Sequence, residues 1–268
     1  MPPIDAHCHA SPLWYEPVEV LLFQMDRGGV EKAVLTQLLG QFHNDYQQEC
    51  VKRFPTRLAS VGAVDPQALD APQQVRKWAG RGMVGLRLRP DARSPAGDPF
   101  AIWRAAADAG LAISCAGPTA LFLSEGFAEL AAAFPHMPFI LEHLGGWVRP
   151  DCDRSDASWQ AILALARLAN VSMKIAALGQ LAPRPISQRL PEAPPILDDA
   201  EGARLIQALD AFGAARLLWG SDFPVVSSRE GYGNALAWTR ALFADRPPAE
   251  ADAIFRGNAQ RIFFGDRP

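Results

Sequence analysis

The sequence has little cysteine and no excess of positive charge. Lys and Arg number 26 against 29 Asp and Glu, so the formal net charge is −3. A chain that binds a phosphate backbone needs a positive field, so nucleic acid is not an expected partner. None of the four cysteines forms a C-x-x-C pair, and a chain of this size needs no covalent staples, so reduced thiols are expected. They are Cys8, Cys50, Cys115 and Cys152.

Long apolar runs are also missing. The longest uncharged segment, residues 109–124, is short and is interrupted by Gly117 and Pro118. The first residues, MPPIDAHCHA, show neither the basic stretch nor the apolar run of a secretory signal. These absences predict a cytoplasmic protein without a membrane-spanning helix. With 268 residues, the chain is expected to form a single domain over 1–268.

Short aliphatic runs alternate with stretches of helical periodicity, which is typical of parallel strands with crossover helices. A doubly wound sheet would usually have a glycine-rich loop after its first strand, whereas residues 10–14 read ASPLW. The pattern therefore favours an α/β fold of the (β/α)8 TIM-barrel class. The predicted strands are 4–9, 32–38, 58–64, 83–89, 111–115, 139–143, 171–175 and 217–220. Predicted helices include 18–28, 44–54, 100–109, 125–134, 157–169, 201–212, 249–255 and 258–264.

The lengths of the connections indicate which end of this barrel carries the site. Links from helix to strand are brief, but links from strand to helix are long at 90–99, 145–156 and 176–200. Barrel enzymes build their sites from the loops that follow the strands. The loops also carry Trp14, Tyr15 and Trp147, and a proline-rich stretch at 183–195, as candidates to cover the pocket.

The first strand carries an H-x-H pair. Strict alternation would place Asp5, His7 and His9 on one face and the apolar neighbours on the other, so both histidines would point into the barrel. By itself an H-x-H pair is a weak signal for a metal or catalytic site. Cys8 is predicted to pack rather than to ligate.

Two further residues fall at the ends of other predicted strands. His143 follows the apolar run at 139–141, and Asp222 follows the run at 217–220. Each alone could be a loop or capping residue. Because all four residues are predicted at the same end of the barrel, a shared site of His7, His9, His143 and Asp222 is the better interpretation.

Three segments resemble the signatures of the amidohydrolase superfamily in its amidohydrolase-related branch, a metal-dependent hydrolase type of TIM barrel. They are DAHCH at 5–9, EHLGG at 142–146 and WGSDFP at 219–224. That branch contains lactonases, such as 2-pyrone-4,6-dicarboxylate lactonase, and nonoxidative decarboxylases, such as aminocarboxymuconate semialdehyde decarboxylase. Weaker similarity at 44–46, 57–66 and 257–259 extends the resemblance over nearly the whole chain.

The resemblance implies His7, His9 and Asp222 as metal ligands or catalytic groups, with His143 as a fourth ligand or as a donor to the substrate. It allows a divalent ion, zinc or manganese, and equally allows catalysis without one. Family decarboxylases carry a further histidine after the Gly-Gly segment. This sequence has no histidine after His143, which favours a lactonase-like hydrolase over the alternative, a metal-dependent decarboxylase of a muconate or aromatic acid.

Candidate substrate-binding residues lie on the other predicted strands and loops. Arg87 and Arg89 share one strand face and could hold a carboxylate, or they could pair with acids such as Asp5 or Glu142. Lys174 is a similar case. His43 and Trp14, on loops after strands, complete the set of candidates, although an exposed position suits His43 as well.

The functional hypothesis is hydrolysis of a small lactone or related carbonyl compound that carries a carboxylate. Asp222 would take a proton from water and later return it to the leaving oxygen, with His143 assisting at the carbonyl. A non-enzymatic barrel that binds a small acid is the rival interpretation, since fold alone does not establish function. The expected partner is a small molecule, and a homo-oligomer is compatible with the sequence.

Overall fold

A computed structural model describes residues 1–95, 97–181 and 199–265. Eight parallel strands form one sheet in chain order, which confirms the predicted (β/α)8 barrel. All eight predicted strands are present, most of them shorter by one to three residues. They are β1 Ile4–Cys8, β2 Lys32–Thr36, β3 Leu58–Gly62, β4 Gly85–Leu88, β5 Ala112–Cys115, β6 Phe139–Leu141, β7 Val171–Ile175 and β8 Leu217–Trp219.

Helices follow the strands around the outside of the barrel. The first predicted helix has the predicted bounds, and the helix over 71–80 was not among the named candidates. The α-helices are α1 Val18–Gly28, α2 Asp45–Arg53, α3 Ala71–Gly80, α4 Ala101–Asp108, α5 Thr119–Phe122, α6 Glu125–Ala133, α7 Asp156–Ala164, α8 Asp199–Phe212, α9 Tyr232–Leu242 and α10 Pro248–Asp252. Wide π-helical turns over Ala253–Gly257 and Gln260–Phe264 continue the chain after α10. Within the described ranges, no helix has the length and apolarity to cross a bilayer.

The barrel closes between β1 and the residues after β8. The backbone N–H of Asp222 donates to the His7 carbonyl over 2.8 Å, and the N–H of His9 donates to the Phe223 carbonyl over 2.7 Å. Gly220 makes this approach feasible, because a Cβ there would lie 2.7 Å from the Cβ of His7. The closure therefore brings the histidine pair and the aspartate of the predicted site side by side.

The first strand does not alternate as predicted. Its pairing with β2 slips by one residue between Asp5 and Cys8, which is the mark of a β-bulge. Ile4 and Ala6 consequently pack inside the barrel, while Cys8 packs outside among the helices. The predicted faces of Ile4, Ala6 and Asp5 were therefore wrong, whereas Cys8 packs against the helices as predicted. The extra residue restores the phase, so that His7 and His9 both point inward.

The interior of the barrel is apolar toward the N-terminal ends of the strands, its lower end, and polar toward their C-terminal ends, its upper end. Small and aliphatic side chains from the strands form an inner cluster, which Phe263 of the C-terminal segment joins. The ammonium of Lys174 lies over the Phe263 ring, 5.8 Å from its centroid. Above this level the inward-facing side chains are charged or hydrogen-bonding, so the strands place the polar groups under the C-terminal loops.

Candidate active site

The four predicted site residues lie at the ends of three strands. His7 and His9 belong to β1 and the residue after it, His143 follows β6, and Asp222 follows β8. His143 and Asp222 have φ values of 52° and 60°, in the left-handed region that residues other than glycine seldom adopt. Such strain persists where surrounding contacts hold it, and it is concentrated at functional sites. Here it turns the chain sharply at the barrel mouth.

The structure brings these four side chains together around Asp222. The Oδ1 atom of Asp222 lies 3.5 Å from Nε2 of His7 and 3.4 Å from Nε2 of His9. The His7 and His143 rings meet edge to face with centroids 4.8 Å apart. One carboxylate oxygen thus faces two imidazoles, with a third imidazole against the first.

A backbone contact orients His9. Its Nδ1 lies 2.6 Å from the carbonyl oxygen of Thr36 at the end of β2. Since a carbonyl only accepts, Nδ1 carries a proton and donates it to Thr36, which turns Nε2 toward Asp222. Histidines that ligate metals are commonly held in this way, by a hydrogen bond from the other ring nitrogen.

The side chain of Asp222 is almost fully buried, yet its carboxyl group is ionised. Burial acts to raise its pKa, but His143, His7 and His9 outweigh that effect and hold the pKa well below its usual range. The pKa of His7 is lowered well below its usual value, first by burial and then by Lys174. Burial also lowers the pKa of His143. An ionised Asp222 and neutral His7 and His143 are therefore expected at neutral pH.

Beneath His7 lies a buried lysine. Lys174 on β7 is fully buried, and its Nζ lies 3.0 Å from Nδ1 of His7 and donates to Oγ of Ser114 over 2.8 Å. Burial lowers the pKa of Lys174 to about 8, against the opposing effect of Glu142, so the ammonium form still predominates at pH 7. An ammonium group only donates, so neutral His7 accepts at Nδ1 and carries its proton on Nε2, toward Asp222.

The same network continues to Arg87 on β4. Ser114 donates to Oε1 of Glu142 over 2.6 Å, and Arg87 grips both carboxylate oxygens, with Nε 2.9 Å from Oε1 and Nη2 2.5 Å from Oε2. Nη1 of Arg87 donates to the carbonyl of Gln37. Burial acts to raise the pKa of Glu142, but Arg87, His7 and Lys174 hold it well below its usual range. Of the two roles considered for Arg87, the pairing with Glu142 is the one present.

The other predicted substrate residues differ in position. Arg89 binds Asp91 through two hydrogen bonds of 3.0 and 2.8 Å at the surface. His43 is exposed, and its carbonyl accepts from Gln37. Trp14 is 70% exposed, whereas its neighbour Tyr15 has its ring 5.7 Å from that of His9. Lys174, the remaining candidate, lies on the floor of the site rather than at its mouth.

Two of the loop features have simple outcomes. Trp147 is buried, its ring centroid lies 5.0 Å from that of Trp159, and it donates to Glu201, so it packs one loop onto its neighbours instead of covering the pocket. The proline-rich stretch at 183–195 lies outside the described residues.

Sequence reasoning gave Asp5 no role beyond that of an arginine partner. Asp5 is fully buried and accepts hydrogen bonds from the backbone N–H of His7 and Ser221 and from the hydroxyl of Tyr232 on α9. It thereby ties β1 to the segment that carries Asp222. Burial raises the pKa of Asp5 to about 6 despite these hydrogen bonds. The DAHCH segment contained the residue, but the bulge that turns it outward leaves no signal in the residue pattern.

Glu230, after β8, was also missed. Its Oε1 accepts from the backbone N–H of Gly179 over 3.1 Å, and a Cβ on Gly179 would collide with Oε2. Oε2 is buried without a hydrogen-bond partner among the described residues. Burial raises the pKa of Glu230, and the charge of Asp222 adds to the shift. A second acidic group is thus held near the site by a glycine that leaves room for it.

Among the described residues, two groups of side chains have the spacing to hold a metal ion. They are His7 with His9 and Asp222, and His7 with Glu142 and His143, each with ligand atoms within 4.8 Å of one another. In the second group both oxygens of Glu142 are occupied by Arg87 and Ser114. The first group suits a divalent ion better, because Thr36 holds Nδ1 of His9 and leaves Nε2 as the ligand atom. His7 would ligate through Nε2 after giving up the proton there, and no hydrogen-bond partner of that atom lies among the described residues.

Comparison with known proteins places this site in a family. The family model described as Amidohydrolase matches residues 4–265. L-fucono-1,5-lactonase from Burkholderia ambifaria is 32% identical, with 99% of this chain and 96% of that protein covered. The crystal structure of a putative 2-pyrone-4,6-dicarboxylic acid hydrolase from Pseudomonas putida has a TM-score of 0.76 at 20% identity, covering 100% of this chain and 99% of that one.

A zinc-bound amidohydrolase from Burkholderia multivorans has a TM-score of 0.75 at 20% identity, with 98% of this chain and 99% of that one covered. At this level of identity the two solved structures support the fold. The family itself rests on the match over residues 4–265 and on the 32% identity across nearly both whole chains. The protein therefore belongs to the amidohydrolase family, as an amidohydrolase-related hydrolase.

Proposed function

We propose that this protein hydrolyses a small lactone, with Asp222 as the base that activates water. The observation that carries the proposal is the position of the Asp222 carboxylate, ionised and buried at the barrel mouth with one oxygen 3.4 to 3.5 Å from two imidazoles. A general base must be ionised at the working pH and within reach of the proton that it abstracts. Asp222 meets the first condition and faces the mouth where a substrate would enter.

The relatives support the choice of a lactone. One similar protein is named an L-fucono-1,5-lactonase and another a putative 2-pyrone-4,6-dicarboxylic acid hydrolase. Both names describe a cyclic ester, although the first is uncharged and the second carries two carboxylates. The cyclic ester is therefore the feature that we transfer to this chain, and the substituents are not.

The proposed reaction uses the side chains in separate roles. Asp222 takes a proton from water, and the resulting hydroxide attacks the carbonyl carbon of the lactone. His143 is neutral, and its Nδ1 is buried with no hydrogen-bond partner among residues 1–95, 97–181 and 199–265. It donates to the oxygen that becomes negative. The ring C–O bond then breaks, and Asp222 returns the proton to the leaving oxygen. His9, held by Thr36, and His7, held by Lys174, keep the carboxylate in place.

His7, His9 and Asp222 would hold a divalent ion if one is bound. Such an ion would polarise the carbonyl and lower the pKa of a bound water from ~15.7 toward about 7. The chemistry assigned to Asp222 and His143 is compatible with either case.

A carboxylate on the substrate stays a prediction. The arginine pair had suggested it, but Arg87 pairs with Glu142 and Arg89 pairs with Asp91. We also propose that residues 1–268 form a single domain and that the protein is cytoplasmic. A homo-oligomer and the absence of nucleic-acid and membrane partners belong to the same set of proposals.

Release of acid from a panel of lactones, followed with a pH indicator, tests the function. The variant Asp222→Asn should lower kcat/KM by about 10²- to 10⁴-fold, the usual contribution of a general base, while the circular dichroism spectrum stays unchanged. Asp245→Asn, an exposed aspartate on the outer surface, is the matched control. Near-normal turnover by Asp222→Asn, or release of carbon dioxide instead of acid, would contradict the proposal.

A further inference from the structure

A cavity of about 330 Å³ lies beside the candidate site at the C-terminal ends of β2, β3 and β4. Arg87 lines this cavity and also contacts Glu142, so the cavity and the site share a wall. Its volume falls within the range of about 300–1,000 Å³ that is typical of small-molecule pockets. The cavity is therefore large enough for part of a substrate whose ring sits above Asp222.

The walls of this cavity are mainly apolar. Its apolar lining consists of Leu39, Phe42, Val64, Pro66, Leu88 and Ala92. The polar residues in it already have partners: Arg87 pairs with Glu142, Arg89 with Asp91, and Gln67 donates to the carbonyl of Arg93. A ligand in this space would gain contact area with hydrocarbon and would find both guanidinium groups already paired with carboxylates.

Exposed apolar side chains continue this surface along the rim. Leu39 is 47% exposed and Phe42 is 36% exposed, both on the loop after β2. The loop after β1, at the same end of the barrel, carries the exposed Leu13, Trp14 and Tyr15. Contiguous exposed apolar groups at a protein surface commonly mark a binding site. Exposed hydrocarbon thus lies on two loops of the catalytic end, and the loop after β2 lines the cavity itself.

We propose that this cavity binds an apolar substituent on the lactone ring, so that the enzyme prefers alkyl- or aryl-substituted lactones to unsubstituted ones. The inference rests on the proposed function for the ring itself. It adds the class of the substituent. Because both guanidinium groups are already paired with carboxylates, the substituent is expected to be uncharged. The cavity adjoins the site at Arg87, and this is the reason to place a part of the substrate there rather than a separate ligand.

A series of δ-lactones tests the preference. δ-Valerolactone carries no side chain, while δ-octalactone and δ-decalactone carry a propyl and a pentyl chain. We expect kcat/KM to rise at least about threefold for each methylene that enters the cavity. Leu39→Asp and Phe42→Asp should reduce the ratio of kcat/KM for the pentyl over the unsubstituted lactone. Leu69→Asp, 79% exposed and outside the cavity lining, should leave the ratio unchanged.

The outcomes separate the inference from the proposed function. Turnover that is independent of chain length, or ratios that fall equally in all three variants, would overturn the cavity assignment and leave lactone hydrolysis intact. If no lactone is hydrolysed, the proposed function fails. Calorimetric titration with δ-valerolactam, with and without a pentyl chain, then tests whether the cavity binds an apolar substituent. Tighter binding of the pentyl compound that Leu39→Asp abolishes would support it. Equal affinities would overturn it, as would a change of oligomeric state in Leu39→Asp without a change in selectivity.

Discussion

Nζ of Lys174 lies 3.0 Å from Nδ1 of His7, while Nε2 of the same imidazole lies 3.5 Å from Oδ1 of Asp222. The lysine therefore acts on the aspartate through the ring between them. Because the ammonium group can only donate, it fixes the proton of neutral His7 on the nitrogen that faces Asp222. Lys174 is in this respect a positioning residue for the proposed base.

The first prediction concerns this positioning role. Lys174→Met removes the donor while keeping the length of the side chain, and kcat/KM should fall by about 10- to 100-fold, since a lost hydrogen bond to a buried group costs about 1–3 kcal/mol. The ¹⁵N shifts of the His7 ring should show loss of the single Nε2–H tautomer. Lys32→Met, near Gln260 at the other end of the barrel, is the control. An unchanged tautomer in Lys174→Met would refute the role.

A second prediction follows from the raised pKa of Asp5. Its pKa is about 6 in the folded protein against a usual value of 3.8, so the folded state binds the proton more tightly than the unfolded state does. Its contribution to stability is present in full below pH 3.8 and is lost as the pH rises through about 6. The difference amounts to at most about 3 kcal/mol.

Asp5→Asn should remove this pH dependence. The amide oxygen can still accept from the backbone N–H groups of His7 and Ser221, so the fold should persist. Between pH 4 and pH 7, the melting temperature of the variant should rise relative to that of the parent protein. Differential scanning calorimetry measures it, with the exposed Asp245→Asn as control. If the melting temperatures of the parent protein and Asp5→Asn changed with pH in parallel, ionisation of Asp5 would not reduce the stability of the folded protein, and the prediction would be wrong.

Much of this architecture could be predicted because it depends on local patterns. Aliphatic runs at regular intervals mark the buried parallel strands, and the four site residues stand at strand ends, where a barrel brings them together. The partners of these residues could not be predicted in the same way. The position of Ser114 between Lys174 and Glu142 depends on the register of β5, β6 and β7. That register is set by the pairing of neighbouring strands in the folded barrel. The bulge in β1 likewise comes from closure against the segment after β8.

The third prediction tests that closure. Gly220→Ala would place a Cβ 2.7 Å from the Cβ of His7 and 3.0 Å from its backbone nitrogen. Backbone cannot yield as a flexible side chain does, so β1 and the Asp222 segment must separate. We expect a loss of about 1–3 kcal/mol in the free energy of unfolding from overpacking and a fall of about 10²-fold in kcat/KM from the displaced site.

Gly80→Ala at the end of α3 serves as the comparison, because a Cβ there meets nothing within 4 Å. Chemical denaturation and steady-state kinetics measure both variants. The proposed geometry would be wrong if Gly220→Ala and Gly80→Ala changed stability and turnover by similar amounts.

The fourth prediction decides which side chains hold a metal ion. Equilibrium dialysis against zinc or manganese, with the metal content measured afterwards, reads affinity without reference to turnover. Loss of a residue that only supports a ligand weakens metal binding by about 10- to 100-fold. His9→Asn removes a ligand atom, so it should weaken metal binding by more than that. His143→Asn should keep the affinity within about threefold, since loss of a residue that is neither ligand nor support stays below that range. Within the described part of the chain, His143 shares ligand spacing with His7 and with Glu142, whose oxygens Arg87 and Ser114 occupy. A large loss in His143→Asn with little change in His9→Asn would place the ion in the other group, and Arg87 would then have to release Glu142.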